Sequence, residues 1–305
     1  MNVLSLFNGM SFCSMALESL GVNVNKMYSS EIDKYANQAT QAMFPDTIQL
    51  GDVTQWREWD IDWASIDLVT GGFPCQAWSM AGKQLGDKDE RGMLFWTMLD
   101  IMKHIKYHNP KANFLIENVK MKKEFEQYIT THTENALGKV YKILINSALV
   151  SAQNRNRYYW TSFEVEQPRE AMIYLDDVIE LNVDDKFFVS QRQLDRLDLS
   201  RVKDGGVRVC FQSPGQNISK SECLQARDYK GISGRQYFTV AMVEGRLRKL
   251  TPTEYMRLQT VPEHHVDTLL NAGISNTQLY KMTGNGWTME VIKHIFKALA
   301  INWRI

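Results

Sequence analysis

Apolar positions in the first 165 residues form short continuous runs that alternate with stretches of helical period. Val3-Leu4-Ser5-Leu6-Phe7 is too short and too continuous for an amphipathic helix and reads as a buried strand. Asn8-Gly9-Met10-Ser11 follows as a turn, and Phe12 to Leu20 as a helix stopped by Gly21. A second strand leads to Glu31, and a helix from Asp33 to Phe44 stops before Pro45. Ile66-Asp67-Leu68-Val69-Thr70 is a further strand running into Gly71-Gly72-Phe73-Pro74-Cys75. Leu94, Met98, Ile101, Met102 and Ile105 lie on one stripe of another helix, and Asn113-Phe114-Leu115-Ile116-Glu117 is strand again. This alternation predicts an α/β fold with a mostly parallel sheet covered by helices on both faces. Ligands of such sheets bind at the carboxyl ends of the strands, where Gly9, Glu31, Asp52, Cys75 and Glu117 fall.

Beyond about residue 163 the pattern changes. Glycines cluster at 205, 206, 215, 231 and 234, and helical periodicity weakens. Residues 163–275 are therefore expected to form a second, smaller domain, irregular and β-leaning. From Gly284 the chain turns helical, with Met289, Ile292, Ile295, Phe296 and Leu299 on one face. That tail is expected to return to the first domain, which then comprises 1–162 and 276–305.

Composition narrows the class. With 44% hydrophobic and 23% charged residues among 305, the chain has an ordinary globular make-up, and disorder is excluded. No apolar run approaches the roughly 18 residues of a membrane span, and the first residues lack the basic start of a secretory signal. The expected setting is soluble and cytoplasmic. Net charge is zero, but residues 186–250 hold 13 Lys/Arg against 6 Asp/Glu, a local excess of +7. On charge alone this is equally a nucleic-acid footprint or a solvated positive face.

The four cysteines, Cys13, Cys75, Cys210 and Cys223, form no C-x-x-C pair and have no histidine at ligand spacing, so no metal is expected. Each is a core thiol or a nucleophile. Cys75, at the mouth of a parallel sheet and ahead of a polar stretch reaching Arg91-Gly92, suits a nucleophile better than a core residue. The glycine turn after the first strand can cradle the polar end of a cofactor, although Gly9 alone is a weak signal. Glu31 can accept both hydroxyls of a ribose and Asp52 an adenine amino group. Taken singly, each reads better as an exposed carboxylate or a helix cap. Gln153-Asn154-Arg155-Asn156-Arg157 places two arginines on one side of an extended segment, able to reach an anion or lower a thiol pKa.

Together these residues resemble the C5-cytosine DNA methyltransferase family, in the pattern of its small bacterial and phage members of the HhaI type. The matching stretches are Leu4-Ser5-Leu6-Phe7-Asn8-Gly9, Pro74-Cys75-Gln76 with Ser79 and Gly82-Lys83-Gln84, Arg91-Gly92 with Leu94-Phe95, and Glu117-Asn118-Val119. Gln153-x-Arg155-x-Arg157, Arg248-Lys249-Leu250-Thr251-Pro252 with Glu254 and Arg257-Leu258-Gln259, and Gly284-Asn285-Gly286 follow in the same order. The resemblance implies a Rossmann-like S-adenosylmethionine-dependent domain with a target-recognition domain. It implies a catalytic set of Cys75, Gln76, Ser79, Glu117, Arg155 and Arg157. Cys75 adds to C6 of a flipped cytosine, Arg155 supports the thiolate, and Glu117 meets N3. It implies that S-adenosylmethionine is held by Phe7, Gly9, Glu31, Ile32, Asp52, Val53, Gly72, Pro74 and Asn285. Double-stranded DNA is expected to be contacted by Lys83, Gln84, Arg91, Arg227, Tyr229, Lys230 and Gly231, with Arg227 reading a guanine through two hydrogen bonds. The expected enzyme is a monomer, with a separate restriction endonuclease as counterpart or in a phage or orphan role.

Departures from the family pattern concern detail. Ser11 stands for a cofactor-loop glycine, Val150-Ser151-Ala152 for Gly-x-Pro, Trp287 for the residue after Gly-Asn-Gly, and Cys223 for the threonine of a Thr-Leu pair. None removes a catalytic atom. Two rivals are weighed beside DNA methylation: C5-cytosine methylation of transfer RNA, whose Cys-Phe-Thr element is not evident, and a non-catalytic regulator, which would lack Pro-Cys or Glu-Asn-Val. A dinucleotide-binding dehydrogenase fails for want of G-x-G-x-x-G.

Overall fold

The computed structural model describes residues 1–74, 90–195, 220–230, 240–243 and 245–301. The chain divides into two compact units: Met1–Ile145 with Asn156–Pro168 and Ile292–Ile305, and Asn146–Arg155 with Arg169–Val291. The segments 146–155 and 276–291 thus pack with the second unit, and the end of the C-terminal helix with the first.

The first unit is built on a seven-stranded sheet ordered β3-β2-β1-β4-β5-β7-β6. Within it, β1 (Asn2–Leu6) runs parallel to β2 (Lys26–Ser30) on one side and to the central β4 (Ile66–Gly71) on the other, with Leu6 opposite Ser30 and Gly71. β3 (Ile48–Gln49) and β5 (Asn113–Val119) extend the parallel set. Val3, Leu4 and Leu6 are wholly buried, as a strand covered on both faces requires. The reversal of strand order beside β1 makes the carboxyl ends of β1 and β4 the topological switch point.

Helices α1 (Phe12–Ser19), α2 (Lys34–Met43), α3 (Glu90–His108) and α4 (Lys123–Leu137) connect or flank these strands. Asp33 caps α2 by accepting from the Tyr35 and Ala36 amides, which explains its start. The predicted stripe of α3 is the buried one: Met98, Ile101, Met102 and Ile105 pack against Leu4, Leu6, Val69, Phe114 and Ile116. Burial of each such side chain is worth about 1.5–3 kcal/mol.

β6 (Tyr141–Asn146) and β7 (Asn156–Thr161) close the sheet, and β7 runs antiparallel to β5. The register sets Tyr159 opposite Glu117 and Arg157 opposite Val119. Side chains two apart share a face of a strand, so Arg157 lies diagonal to Glu117 on the same face.

In the second unit, β8 (Val240–Val243) and β9 (Arg246–Lys249) form an antiparallel pair. A short helix α5 (Gln191–Leu194) precedes them. After them come α6 (Pro252–Leu258), α7 (Glu263–Asn271) and α8 (Asn276–Asn285). Residues 252–258 and 263–271 are therefore helical inside the stretch read as irregular and β-leaning. The signal was present: Thr251 caps, Pro252 opens and Glu254 completes a reciprocal capping box. The core of this unit joins Ala152, Leu175, Leu224, Ala241, Leu250, Tyr255 and Leu258. The last helix, α9 (Met289–Ile301), carries the apolar face predicted for the tail, with Met289, Ile292, Ile295, Phe296 and Leu299 all buried. Among the described residues, no helix is long and apolar enough to cross a membrane.

Arg248 and Glu254, both 0% exposed, form a two-pronged ion pair at 2.8 and 2.5 Å. Glu254 also accepts from the Thr251 and Glu180 amides, and Arg248 donates to the Glu180 and Lys249 carbonyls. Both Arg248 Nη groups and both Glu254 oxygens are thereby partnered, while Arg248 Nε has no hydrogen-bond partner among the described residues. Glu254→Gln is expected to cost about 3–5 kcal/mol in urea unfolding, because it strands a buried guanidinium. Replacing both partners with Leu and Met should cost less than the single change, and a single change that is neutral would contradict this assignment.

Candidate active site

The turn after β1 is strained where a ligand would approach. Phe7, Gly9 and Ser11 take φ of 55°, 55° and 60°, left-handed values that cost a non-glycine residue about 1–3 kcal/mol. At Gly9 a side chain would meet nothing within 4 Å, so backbone conformation, and not space, calls for glycine there. Ser11 adopts the left-handed conformation that a glycine would take. Its hydroxyl offsets the strain in a buried cluster, lying 2.8 Å from the Asn8 amide nitrogen and 2.7 Å from the Thr40 hydroxyl.

Glu31 follows β2 and reaches back to this turn. Its Oε2 accepts from the Gly9 amide at 2.9 Å, and its Oε1 from the Ile32 and Asp33 amides at 2.8 and 2.9 Å. Three N–H groups thus orient the carboxylate before any ligand arrives. Beside it, Ile32 leaves 77% of its surface exposed, an apolar face next to a fixed anion. Asp52 accepts from the Thr54 amide at 2.8 Å, so it caps the turn Val53–Glu58, in which Val53 is buried. The helix-cap reading of Asp52 is therefore realised with its carboxylate exposed, and the residue before it is tied to the end of β2 by the Ser30 hydroxyl, which donates to the Gly51 carbonyl at 2.8 Å.

At the neighbouring strand ends, Asn118 donates from Nδ2 to the Phe73 carbonyl at 3.1 Å and accepts the Val119 amide at 2.7 Å. Phe73 is buried against Phe95, with ring centroids 5.0 Å apart. The chain leaving β4 through Gly72, Phe73 and Pro74 is thus fastened to the end of β5. There Glu117, almost buried, pairs with Arg157 Nε at 3.0 Å, as the β5–β7 register dictates. Cys75, Gln76, Ser79, Lys83, Gln84, Cys210 and Gly231 lie outside the described residues, and Arg91 is placed only as part of α3. Of the other cysteines, Cys13 is wholly interior, and burial pushes its thiol up to about 12, which keeps it protonated.

The remaining sequence-selected residues belong to the second unit and build something different. Arg155 is 2% exposed. Its Nη1 donates to the Leu224 carbonyl at 3.1 Å and the Cys223 sulfur at 3.3 Å, and its Nη2 to the carbonyls of Gly284 and Gly286 at 3.3 and 2.7 Å. Gln153 accepts the Leu224 amide at 3.0 Å and donates to Gln259 Oε1, while Gln259 donates to the Thr283 and Gly286 carbonyls. A single buried network therefore unites Gln153-x-Arg155, Gln259, Gly284-Asn285-Gly286 and Cys223-Leu224. Of the two arginines expected to act together, Arg157 stands on the Glu117 carboxylate and Arg155 on carbonyls of its own unit. At Gly284 an added Cβ would sit 2.4–2.6 Å from the Gln225–Ala226 peptide, so this glycine is required for close packing. Asn285 is exposed at the end of α8.

The network carries a small turn. Asp228 Oδ2 accepts the Gln225 amide at 2.8 Å and the Tyr255 hydroxyl at 3.2 Å, and burial raises its carboxyl to about 6. On this turn Arg227 and Lys230 are exposed and Tyr229 half-buried, with Lys281 over the Tyr229 ring at 5.1 Å. The sequence reading assigns no role to Gln225 or Asp228. The spacing of an acid three residues after a turn's first amide was the available signal.

A model of the C-5 cytosine-specific DNA methylase family matches residues 1–205 and 189–300. Type II methyltransferase M1.ScrFI of Lactococcus lactis subsp. cremoris is 33% identical over 291 residues, covering 89% of this chain and 71% of that protein. Type II methyltransferase M.HhaI of Haemophilus parahaemolyticus is 28% identical over 317 residues, covering 96% and 92%. Among solved structures, Entamoeba histolytica methyltransferase EhMeth shares the fold, with a TM-score of 0.77 at 16% identity over 100% of this chain and 99% of that one. With the family model spanning nearly its whole length and a relative one-third identical, the chain belongs to the C-5 cytosine-specific DNA methylase family.

Proposed function

We propose that this protein methylates C5 of a cytosine within one short sequence of duplex DNA, as a monomer and as the modification half of a restriction-modification system. The observation that carries the reading is the Asn118 contact to the Phe73 carbonyl. It fastens the chain two residues before Cys75 to the strand end that holds Glu117 and Arg157. The methyl-transfer body is assigned to 1–162 with 276–305, and target recognition to 163–275, where the local positive excess lies.

The residues at the carboxyl ends of β1 and β2 suit S-adenosylmethionine. A carboxylate preset by three amides fits a ribose diol, an exposed Ile32 fits a purine face, and the open turn at Phe7 and Gly9 fits the amino-acid end. Asp52 and Val53 complete the adenine side, and Gly72 and Pro74 border the methionine side. When bound, this cofactor supplies an electrophilic methyl group on a sulfonium centre. The protein's task is to make C5 nucleophilic. A flipped cytosine is attacked at C6 by the Cys75 thiolate, forming the Sγ–C6 bond. The electron pair displaced from the C5–C6 double bond onto N3 takes a proton from Glu117, in its acid form with the base bound; this leaves the carboxylate paired with Arg157, and the proton returns to it as the double bond is restored. Once C5 carries its methyl group, loss of the C5 proton to a base restores the double bond and expels the thiolate. Gln76, Ser79 and Arg155 are assigned to the catalytic set, and Lys83, Gln84, Arg91, Tyr229, Lys230 and Gly231 to DNA contact.

DNA carrying 5-fluorocytosine at the target has no C5 proton to lose, so it should crosslink to the wild-type protein and not to Cys75→Ser. A crosslink that survives Cys75→Ser would contradict the nucleophile. Separately, Glu31→Ala should weaken S-adenosylmethionine binding in calorimetry by roughly 1.5–3 kcal/mol, the usual worth of hydrogen bonds to a charged group. An unchanged affinity would place the ribose elsewhere.

A further inference from the structure

We propose that Gln225 is the positioning residue for sequence choice: it holds Arg227 by the Nε edge, so that the two Nη groups present an end-on fork to a guanine. The inference rests on the reading of this protein as a DNA methyltransferase. Arg227 Nε donates to Gln225 Oε1 at 3.0 Å. Arginine has no acceptor, so the amide oxygen must be the atom that faces it. Gln225 is itself anchored, since its amide donates to Asp228 Oδ2 at 2.8 Å and its carbonyl accepts from the Asp228 amide at 3.1 Å. Its peptide to Ala226 also rests directly on Gly284, within 2.6 Å of the point where a Cβ would lie. Leu224, one residue earlier, is tied by Gln153 and Arg155 and buried in the core. The turn is thus rigid on its inner side, while Arg227 is exposed on its outer side.

This arrangement selects among the uses of a guanidinium. The side-on pair, Nε with one Nη, is partly consumed by Gln225. The end-on pair remains, and its two parallel donors match O6 and N7 of guanine in the major groove. Holding Nε also removes rotamer freedom before binding, so less is lost when the base is met. A phosphate contact would have no need of this second-residue support.

The test is competition binding of the full-length protein to a duplex containing its methylated site and to every single-base variant, at two salt concentrations. Arg227→Ala is expected to lose about 5- to 150-fold discrimination at one base pair. Gln225→Ala should lose discrimination at that same base pair, on the order of tenfold, and the double variant should be no worse than Arg227→Ala alone. Gln225→Glu, which keeps the acceptor, should restore the preference. The slope of affinity against salt should stay unchanged for Gln225→Ala, which a general loosening of the turn would not give. A uniform loss across all sequences with a shallower salt slope would overturn the proposal and make Arg227 a phosphate contact. Unaltered discrimination in Gln225→Ala would overturn it too. A wild-type protein that prefers no DNA sequence would instead overturn the methyltransferase reading on which the proposal stands.

Discussion

A guanidinium taken out of water must be given acceptors, and this requirement organises the parts of the chain that carry chemistry. Arg157 pairs with the Glu117 carboxylate, Arg155 donates from both Nη groups to the carbonyls of Leu224, Gly284 and Gly286, and Arg248 pairs with Glu254. The contacts of Arg157 and Arg155 join stretches far apart in sequence, whereas Arg248 and Glu254 are six residues apart. The carboxylate partners fix single side chains, whereas the carbonyl partners of Arg155 fix whole backbone segments. Among these is the one that continues into the exposed turn at 225–230. Two arginines separated by one residue thus serve two purposes: one electrostatic at the strand ends, one architectural in the second unit.

Much of the first unit was legible in the sequence because its strands are buried on both faces. Continuous apolar runs such as Val3–Phe7 and Ile66–Thr70 admit few other readings, and the stripe at 98, 101, 102 and 105 appears in the core as expected. The antiparallel direction of β7 was less legible. Its residues read Asn-Arg-Tyr-Tyr-Trp-Thr, and neither strand composition nor spacing encodes direction. The true partners of Arg155 were illegible for a similar reason: they are main-chain carbonyls, which every residue carries. The helices α6 and α7 were hidden by the glycine count and positive charge around them, although the Thr251-Pro252-x-Glu254 cap announced the first of the two.

Departures from the family pattern acquire physical content from their surroundings. Ser11 accepts a left-handed backbone and answers the strain with hydrogen bonds to Asn8 and Thr40 that glycine could not make. Cys223 keeps a hydrogen-bonding group at a position where threonine is usual, taking one N–H from Arg155 and donating weakly to the Leu224 carbonyl at 3.6 Å. Ser151, in a stretch where Gly-x-Pro is usual, donates to the Leu258 carbonyl at 2.5 Å. In each case the side chain present makes a hydrogen bond within the protein. Trp287 has no such account in the structure.

The claim that unites these observations is methyl transfer to C5 of cytosine in DNA at one defined sequence. It is tested most directly by bisulfite sequencing of total DNA and transfer RNA from cells expressing this protein. The account predicts cytosines resistant to deamination in a single short DNA context, with transfer RNA unchanged from cells lacking the protein. Complete conversion of DNA cytosines in every context, or new resistance confined to transfer RNA, would contradict it.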